Sequence, residues 1–387
     1  SSYTFTGLNE KTNYSIKVKV VDTLGRESNV YNLSVTTDAY VLPRVTNVSA
    51  SSTESSITIS VSATGGTGNV VKYYYSKDNG SNYVESTSSS YTFSNLTSGA
   101  TFYVKVYVKD SNNRESSVAS TSIRTKSDVK LYNYIKSKYT SQGANGLYYH
   151  DSSLANGAGD NSYRYAGASD QVNNYVCFGS TQSPCPEDNK YRIIGVFGDK
   201  VKLIKSTSID GKLWNSIRSN TWSTSSLNTY LNGDFINTFD ETTKGKIADT
   251  TWKVGGFSSK EQPANKVYQN EINSSPSVNN KIGLMYVSDY MYAVPQDKWT
   301  LVGLNYKDSS KDYSAAISVN WMRIGHGVWT ISRDAASSVH AFVVDKTGFL
   351  YSSYTDNPNS VRPVFYLTSS VNYVSGSGTA DDPILVN

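Results

Sequence analysis

The sequence predicts a multidomain protein in which all-β sandwich modules precede an α+β domain. Three observations carry that expectation. Ser2-Tyr3-Thr4-Phe5-Thr6-Gly7-Leu8 recurs as Ser90-Tyr91-Thr92-Phe93-Ser94-Asn95-Leu96, and Arg26-Glu27-Ser28 recurs as Arg114-Glu115-Ser116, both at an offset of 88 residues, the length of one sandwich module. Between these markers apolar residues alternate, with Tyr14, Ile16, Val18 and Val20 in the first copy and Phe102, Val104, Val106 and Val108 in the second, so each strand buries one face. After Thr125 the texture changes to helical spacings, Gly- and Asn-rich text and separated strands.

Residues 1–38 hold the last strands of one module and 43–125 a whole one, with Pro43 at a strand edge. Three strands cannot close a sandwich, so further modules are expected upstream and the chain is expected to belong to a longer one. Asp22 and Asp110 stand before Gly25 and Asn112-Asn113, where turn chemistry explains them better than calcium. Leu131, Ile135 and Tyr139 follow the cap Ser127-Asp128 at helical spacing and predict a helix over 128–140. The text to about 168 reads as a long surface loop. A strand follows at 174–178, then a hairpin with arms 191–197 and 201–205 around Gly198-Asp199. Ser223 to Ser226 cap a helix carrying Leu227, Tyr230, Leu231 and Phe235, with Asn232-Gly233 as its weak point. A helical turn at 244–248, strand text at 252–254 and 282–287, and the constellation Trp329 to Ser332, Phe342 to Val344 and Val361 to Leu367 complete the plan.

Composition narrows the function. Only 18% of the 387 residues are charged and the net charge is +4, with no basic face, which argues against a nucleic-acid partner. Tyrosine is the strongest bias, 31 residues against 11 Phe; Tyr with Ser, Asn and Gly is the palette of secreted β-proteins and binding loops. No apolar run is long enough to insert into a membrane. Cys177 and Cys185, eight residues apart around Gly and Pro, form either a short disulfide in an oxidising location or two thiols in a cytosolic protein; the secreted character of the rest favours the disulfide.

The step from Leu8 to Tyr14 and from Leu96 to Phe102, a turn leucine and then the aromatic that starts an alternating strand, resembles fibronectin type III modules. Asn173 to Val176, Tyr191 to Gly195, the Leu227 to Leu231 helix, Trp329 to Ser332 and Val361 to Val364 occur in the order of C-type-lectin-like domains. That second resemblance covers 127–387, with its core at about 170–387, and is similar to bacterial and phage surface proteins, including variable proteins of diversity-generating retroelements. It implies an extracellular or virion-borne binding scaffold, with recognition residues late in the domain.

Reactive chemistry is sparse. Three scattered histidines offer no zinc spacing, no Gly-x-Ser-x-Gly elbow stands between strand and helix, and no phosphate loop is present. The same broad fold hosts formylglycine-generating enzymes, but their late cysteines have no counterpart here. The Glu-Pro-Asn and Trp-Asn-Asp clusters of calcium-dependent lectins are also missing, so no metal or other cofactor is expected. Asp240-Glu241 and Asp381-Asp382 are the remaining pairs for glycoside chemistry, and adjacent acids diverge on a strand or sit in solvated turns.

The segments 322–328, 333–341 and 352–360 lack a burial period, as recognition loops do. By resemblance Arg323, His326, Arg333, Asp334, His340, Tyr351, Tyr354 and Asp356 form the candidate ligand-facing patch for an extracellular protein or glycan, the plain alternative being solvated loops. Arg362 before Pro363 reads as structural, and Trp321 and Trp329 as core. Three readings follow: a binding or adhesion protein that is not an enzyme, a carbohydrate-active enzyme with appended sandwiches, or a structural wall or virion protein.

Overall fold

The computed structural model describes residues 1–258, 262–273, 276–301 and 313–387, which divide into two compact units, 1–127 and 128–387. In the first unit, β1 (Asn13–Val18) and β2 (Tyr31–Thr36) pair antiparallel. Next come β3 (Arg44–Ser52), β4 (Ile57–Thr64), β5 (Val70–Ser76), β6 (Val84–Ser86), β7 (Ser90–Phe93), β8 (Thr101–Asp110) and β9 (Ala119–Arg124). They form one sheet in the order β3-β4-β7 and another in the order β6-β5-β8-β9, a fibronectin-type-III-like sandwich. The alternation in β8 places Val104, Val106 and Val108 inward against Ile57, Ile59, Val61, Tyr75 and Phe93. Each such residue, moved from water to the core, contributes about 1.5–3 kcal/mol.

The repeat is visible atom by atom at one corner. Asp110 Oδ1 accepts the N–H groups of Asn112 and Arg114 at 2.9 Å, and Asp22 Oδ1 accepts those of Leu24 and Arg26 at 2.9 Å. Each aspartate also pairs with the Nε of the arginine four residues on, at 3.1 and 2.7 Å. Both aspartates therefore close turns.

The second unit starts with α1 (Leu131–Lys136), shorter than its sequence suggests, and then β10 (Leu147–His150) and β11 (Ser162–Tyr165). These strands correct two expectations: 141–168 is not simply a surface loop, and the core of the domain begins near 131 rather than 170. Their inward residues are largely polar, His150, Ser162 and Arg164 being buried beside Leu147 and Tyr165, so no apolar alternation announced them. Next are β12 (Tyr175–Cys177), β13 (Lys190–Phe197), β14 (Lys200–Lys205) and β15 (Ile209–Leu213). β11 docks on β13 where a Cβ on Gly195 would meet the Tyr163 carbonyl oxygen at 2.3 Å, so only glycine fits.

A mainly helical stretch follows. Ser225 accepts from the N–H of Asn228 and caps α2 (Ser226–Tyr230). The helix widens to a π-turn over Leu231–Phe235, at the Asn232-Gly233 weak point. Then come α3 (Glu241–Gly245), β16 (Thr250–Lys253), α4 (Ala264–Ile272), β17 (Ser277–Asn280), β18 (Ile282–Gly283), α5 (Val287–Met291) and α6 (Tyr313–Ser318). The strand expected over 282–287 is thus only two residues long, and Val287 opens a helix whose backbone is capped by Asp289. The chain ends with β19 (Val328–Arg333), β20 (His340–Val344), β21 (Leu350–Tyr354), β22 (Pro358–Val361), β23 (Val364–Leu367), β24 (Tyr373–Ser375) and β25 (Ile384–Val386).

Two larger sheets organise this unit, beside the two-stranded pair β16-β17. The larger runs β18-β23-β14-β13-β12-β25-β24, with β10 and β11 attached through β13; the other runs β15-β22-β19-β20-β21. One continuous core joins them, including Trp214, Trp222, Trp252, Trp299, Trp321 and Trp329.

Candidate ligand-binding face

Cross-strand pairing sets His340 of β20 opposite Tyr354 of β21, and their rings lie 4.2 Å apart. The guanidinium of Arg218 lies 4.5 Å from the centre of the same tyrosine ring, while its Nε donates to Asp356 Oδ2 at 2.8 Å. Tyr354 is 41% exposed and the Arg218 side chain 59%. Imidazole, phenol and guanidinium therefore cluster at the surface, with an ion pair holding the arginine beside the ring.

The loop beneath is held in shape by Asn220, which is buried. Its amide nitrogen lies 3.1, 2.6 and 2.9 Å from the carbonyl oxygens of Asp334, Ser337 and His340. His340 Nδ1 is 2.6 Å from Ser337 Oγ. Neither Arg218 nor Asn220 stood out in the sequence; the available signal was a polar segment between two tryptophans, Trp214 and Trp222, that both proved buried.

The other nominated residues go elsewhere. Tyr351 is an odd number of residues from Tyr354, so strand alternation sends it to the opposite face, beside Gly327, Asp345 and Lys346 along a depression of about 410 Å³. Burial raises the pKa of its phenol. His326 lines a separate depression of about 300 Å³ with Ile324 and Ser206 to Ser208. Arg323 is exposed next to the buried Met322. Arg333 uses its Nε to hold the Gly255 carbonyl at 2.8 Å, and Asp334 closes a turn on the N–H of Ala336 at 3.0 Å. The eight residues are thus not one patch: His340, Tyr354 and Asp356 come together, and Arg218 joins them.

Cys177 and Cys185 are disulfide-bonded. Beside that loop two adjoining depressions, about 500 and 380 Å³, share Gly179 and Asp240. Asp240 caps α3 through the N–H of Thr243 at 2.8 Å, and Glu241 pairs with Lys244 at 2.8 Å. Asp382 receives the N–H of Ser377 at 2.8 Å. Arg362 donates to the carbonyls of Lys205 and Met322, both at 2.7 Å, and Trp321 and Trp329 are buried. Among the described residues, no group of three or more His, Cys, Asp or Glu is placed to hold a metal ion, and no helix is long and apolar enough to cross a membrane.

Architecture and surface define a modular protein with a fibronectin-type-III-like sandwich and a mixed α and β unit bearing an exposed aromatic and charged face. The family described as domain of unknown function DUF6273 matches residues 198–369, less than half of the chain and within the second unit. No curated protein sequence matches. Among solved structures, the PKD1 domain of Vibrio anguillarum Epp is 16% identical, covering 23% of this chain and 99% of its own, with a TM-score of 0.20. The FN1–FN3 domains of chicken CNTN1 are 18% identical over 32% of this chain and 46% of theirs, TM-score 0.21. The fn3 domain of human collagen alpha-1(XX) is 19% identical over 24% and 91%, TM-score 0.20. These scores are low, and the sandwich description rests on the strand order of β3 to β9.

Proposed function

We propose that the chain is an extracellular ligand-binding or adhesion protein whose second unit, lectin-like in its order of elements, meets its partner through Arg218, His340, Tyr354 and Asp356. The observation that supports this is the clustered, half-exposed aromatic and arginine surface over a loop pinned by Asn220. Aromatic and arginine side chains held rigid before binding lose little entropy on contact, and they are the side chains that dominate binding energy. The sandwich modules act as spacers. Variation by a retroelement fits the loops 333–341 and 352–360, and a near-identical template repeat differing at adenines in the surrounding nucleotide sequence is its test.

The binding reading is tested with the whole chain on a glycan array and on immobilised extracellular proteins and cells, side by side with R218A and Y354A. Binding by the parent that both variants lose supports the proposal. Binding that survives both substitutions places the contact elsewhere and overturns it.

A further inference from the structure

We propose that Lys202 and Asp289 are the two halves of an intramolecular isopeptide bond, an amide between the lysine Nζ and the aspartate Cγ that ties β14 to α5. The Nζ stands 2.5 Å from Asp289 Oδ2, and both side chains are 1% exposed. Rings enclose the amine: Tyr286 at 4.7 Å, Phe197 and Tyr366 at 5.4 Å and Trp252 at 5.7 Å. Lys202 lies among apolar neighbours in β14, all buried from Val201 to Ile204.

A third group completes the arrangement. Asp289 Oδ2 accepts the N–H of Tyr286 at 2.8 Å, while Glu271 of α4 accepts those of Val287 at 3.0 Å and Ser288 at 3.3 Å, and the hydroxyl of Ser332. Two carboxyl groups therefore accept the N–H groups of one turn, Tyr286 to Ser288, and the lysine is paired with one of them. Arg164 Nη1 faces Asp289 Oδ1 at 3.6 Å and is itself held by Asp160 at 2.7 Å.

Amines and carboxylic acids do not condense in water because both are ionised. Here burial lowers the pKa of Lys202, and burial pushes that of Glu271 up to about 7, both toward neutral forms. A proton passes from the Lys202 ammonium to the Glu271 carboxylate, and the neutral amine attacks the Asp289 Cγ. The new N–C bond replaces one C–O bond; the oxygen facing Arg164 stays as the carbonyl, and Oδ2 leaves as water. Of the three ammonium protons, one remains on the amide nitrogen and two leave with that oxygen, Glu271 carrying them between the groups. No oxidant or co-reactant is needed.

Intact-mass spectrometry of the purified full chain tests this directly. The expected mass is one water below that of the disulfide-bonded sequence, and digestion yields a branched peptide joining the segments around Lys202 and Asp289. K202R restores the full mass, and E271Q, which keeps the shape of the side chain, slows or abolishes the loss. A parent protein of full sequence mass with no branched peptide, in material whose melting shows it folded, overturns the proposal. Cross-linking at the parental rate in E271Q overturns the part given to Glu271.

Discussion

Arg218 lies over Tyr354, 4.5 Å from the ring centre, and the same guanidinium pairs with Asp356, 138 residues further along the chain. Two segments distant in sequence thus share one exposed surface, which sets the first expectation. Replacing Arg218 or Tyr354 by Ala should weaken binding at least about tenfold, or about 1.4 kcal/mol. Thermal unfolding should change by no more than about 0.5 kcal/mol, as for exposed side chains generally. R218K should behave like R218A, because a compact ammonium lacks the planar group that covers the ring while its Nε holds Asp356.

Asn220 has the opposite profile. Its amide serves carbonyls of Asp334, Ser337 and His340 from a buried position, so N220A removes a shared donor from all three. A loss of about 2 kcal/mol is expected in urea unfolding. Hydrogen exchange should rise at the amides of 334–340, and binding should fall with it.

His150 predicts an acid limb in the stability curve. The ring is buried against Tyr292 and Trp299, and its Nδ1 accepts the N–H of Ala158 at 3.1 Å. Burial, reinforced by Arg164, holds its pKa well below the ordinary 6.5. Below pH 6.5 the unfolded chain then binds a proton that the folded chain refuses, so stability is complete above that value and falls as the pH drops. The slope from this one site approaches about 1.4 kcal/mol per pH unit. Urea titrations from pH 7.5 to 5 should show it in the parent and not in H150F, within a difference between the two curves.

The Cys177–Cys185 link closes a short loop, with a sequence separation of 8. Constraining such a loop in the unfolded chain is worth about 2.5 kcal/mol. The double variant C177S/C185S should lose about that much in denaturant unfolding. Equal stability of the two forms would show that the loop is already held without the bond.

Much of the architecture is legible where side chains repeat in the rhythm of the backbone. Val104, Val106 and Val108 announce β8, the 88-residue repeat announces a second copy of the same corner, and Tyr191 to Lys205 announces the central hairpin. β10 and β11 escaped because the residues they bury include His150, Ser162 and Arg164, polar side chains bonded to Ala158 and Asp160, which carry no apolar rhythm. Lys202 escaped for the same reason: in an alternating strand a lysine reads as outward, and only Asp289, 87 residues later, makes its burial tolerable. The separation of Tyr351 from Tyr354, by contrast, follows from their spacing on one strand.

What the amino-acid order determined alone is local: which segments alternate, which turns close on an aspartate, where one module ends and a different texture begins. These depend on neighbours within a few residues, whose geometry the backbone dictates. What only the tertiary structure decided is which side chains meet, Arg218 with Tyr354 and Asp356, Asn220 with the loop it pins, Lys202 with Asp289. Such meetings depend on how sheets stack and strands register across a hundred residues or more, and a polar side chain shows its role only once the group that satisfies it has been brought alongside.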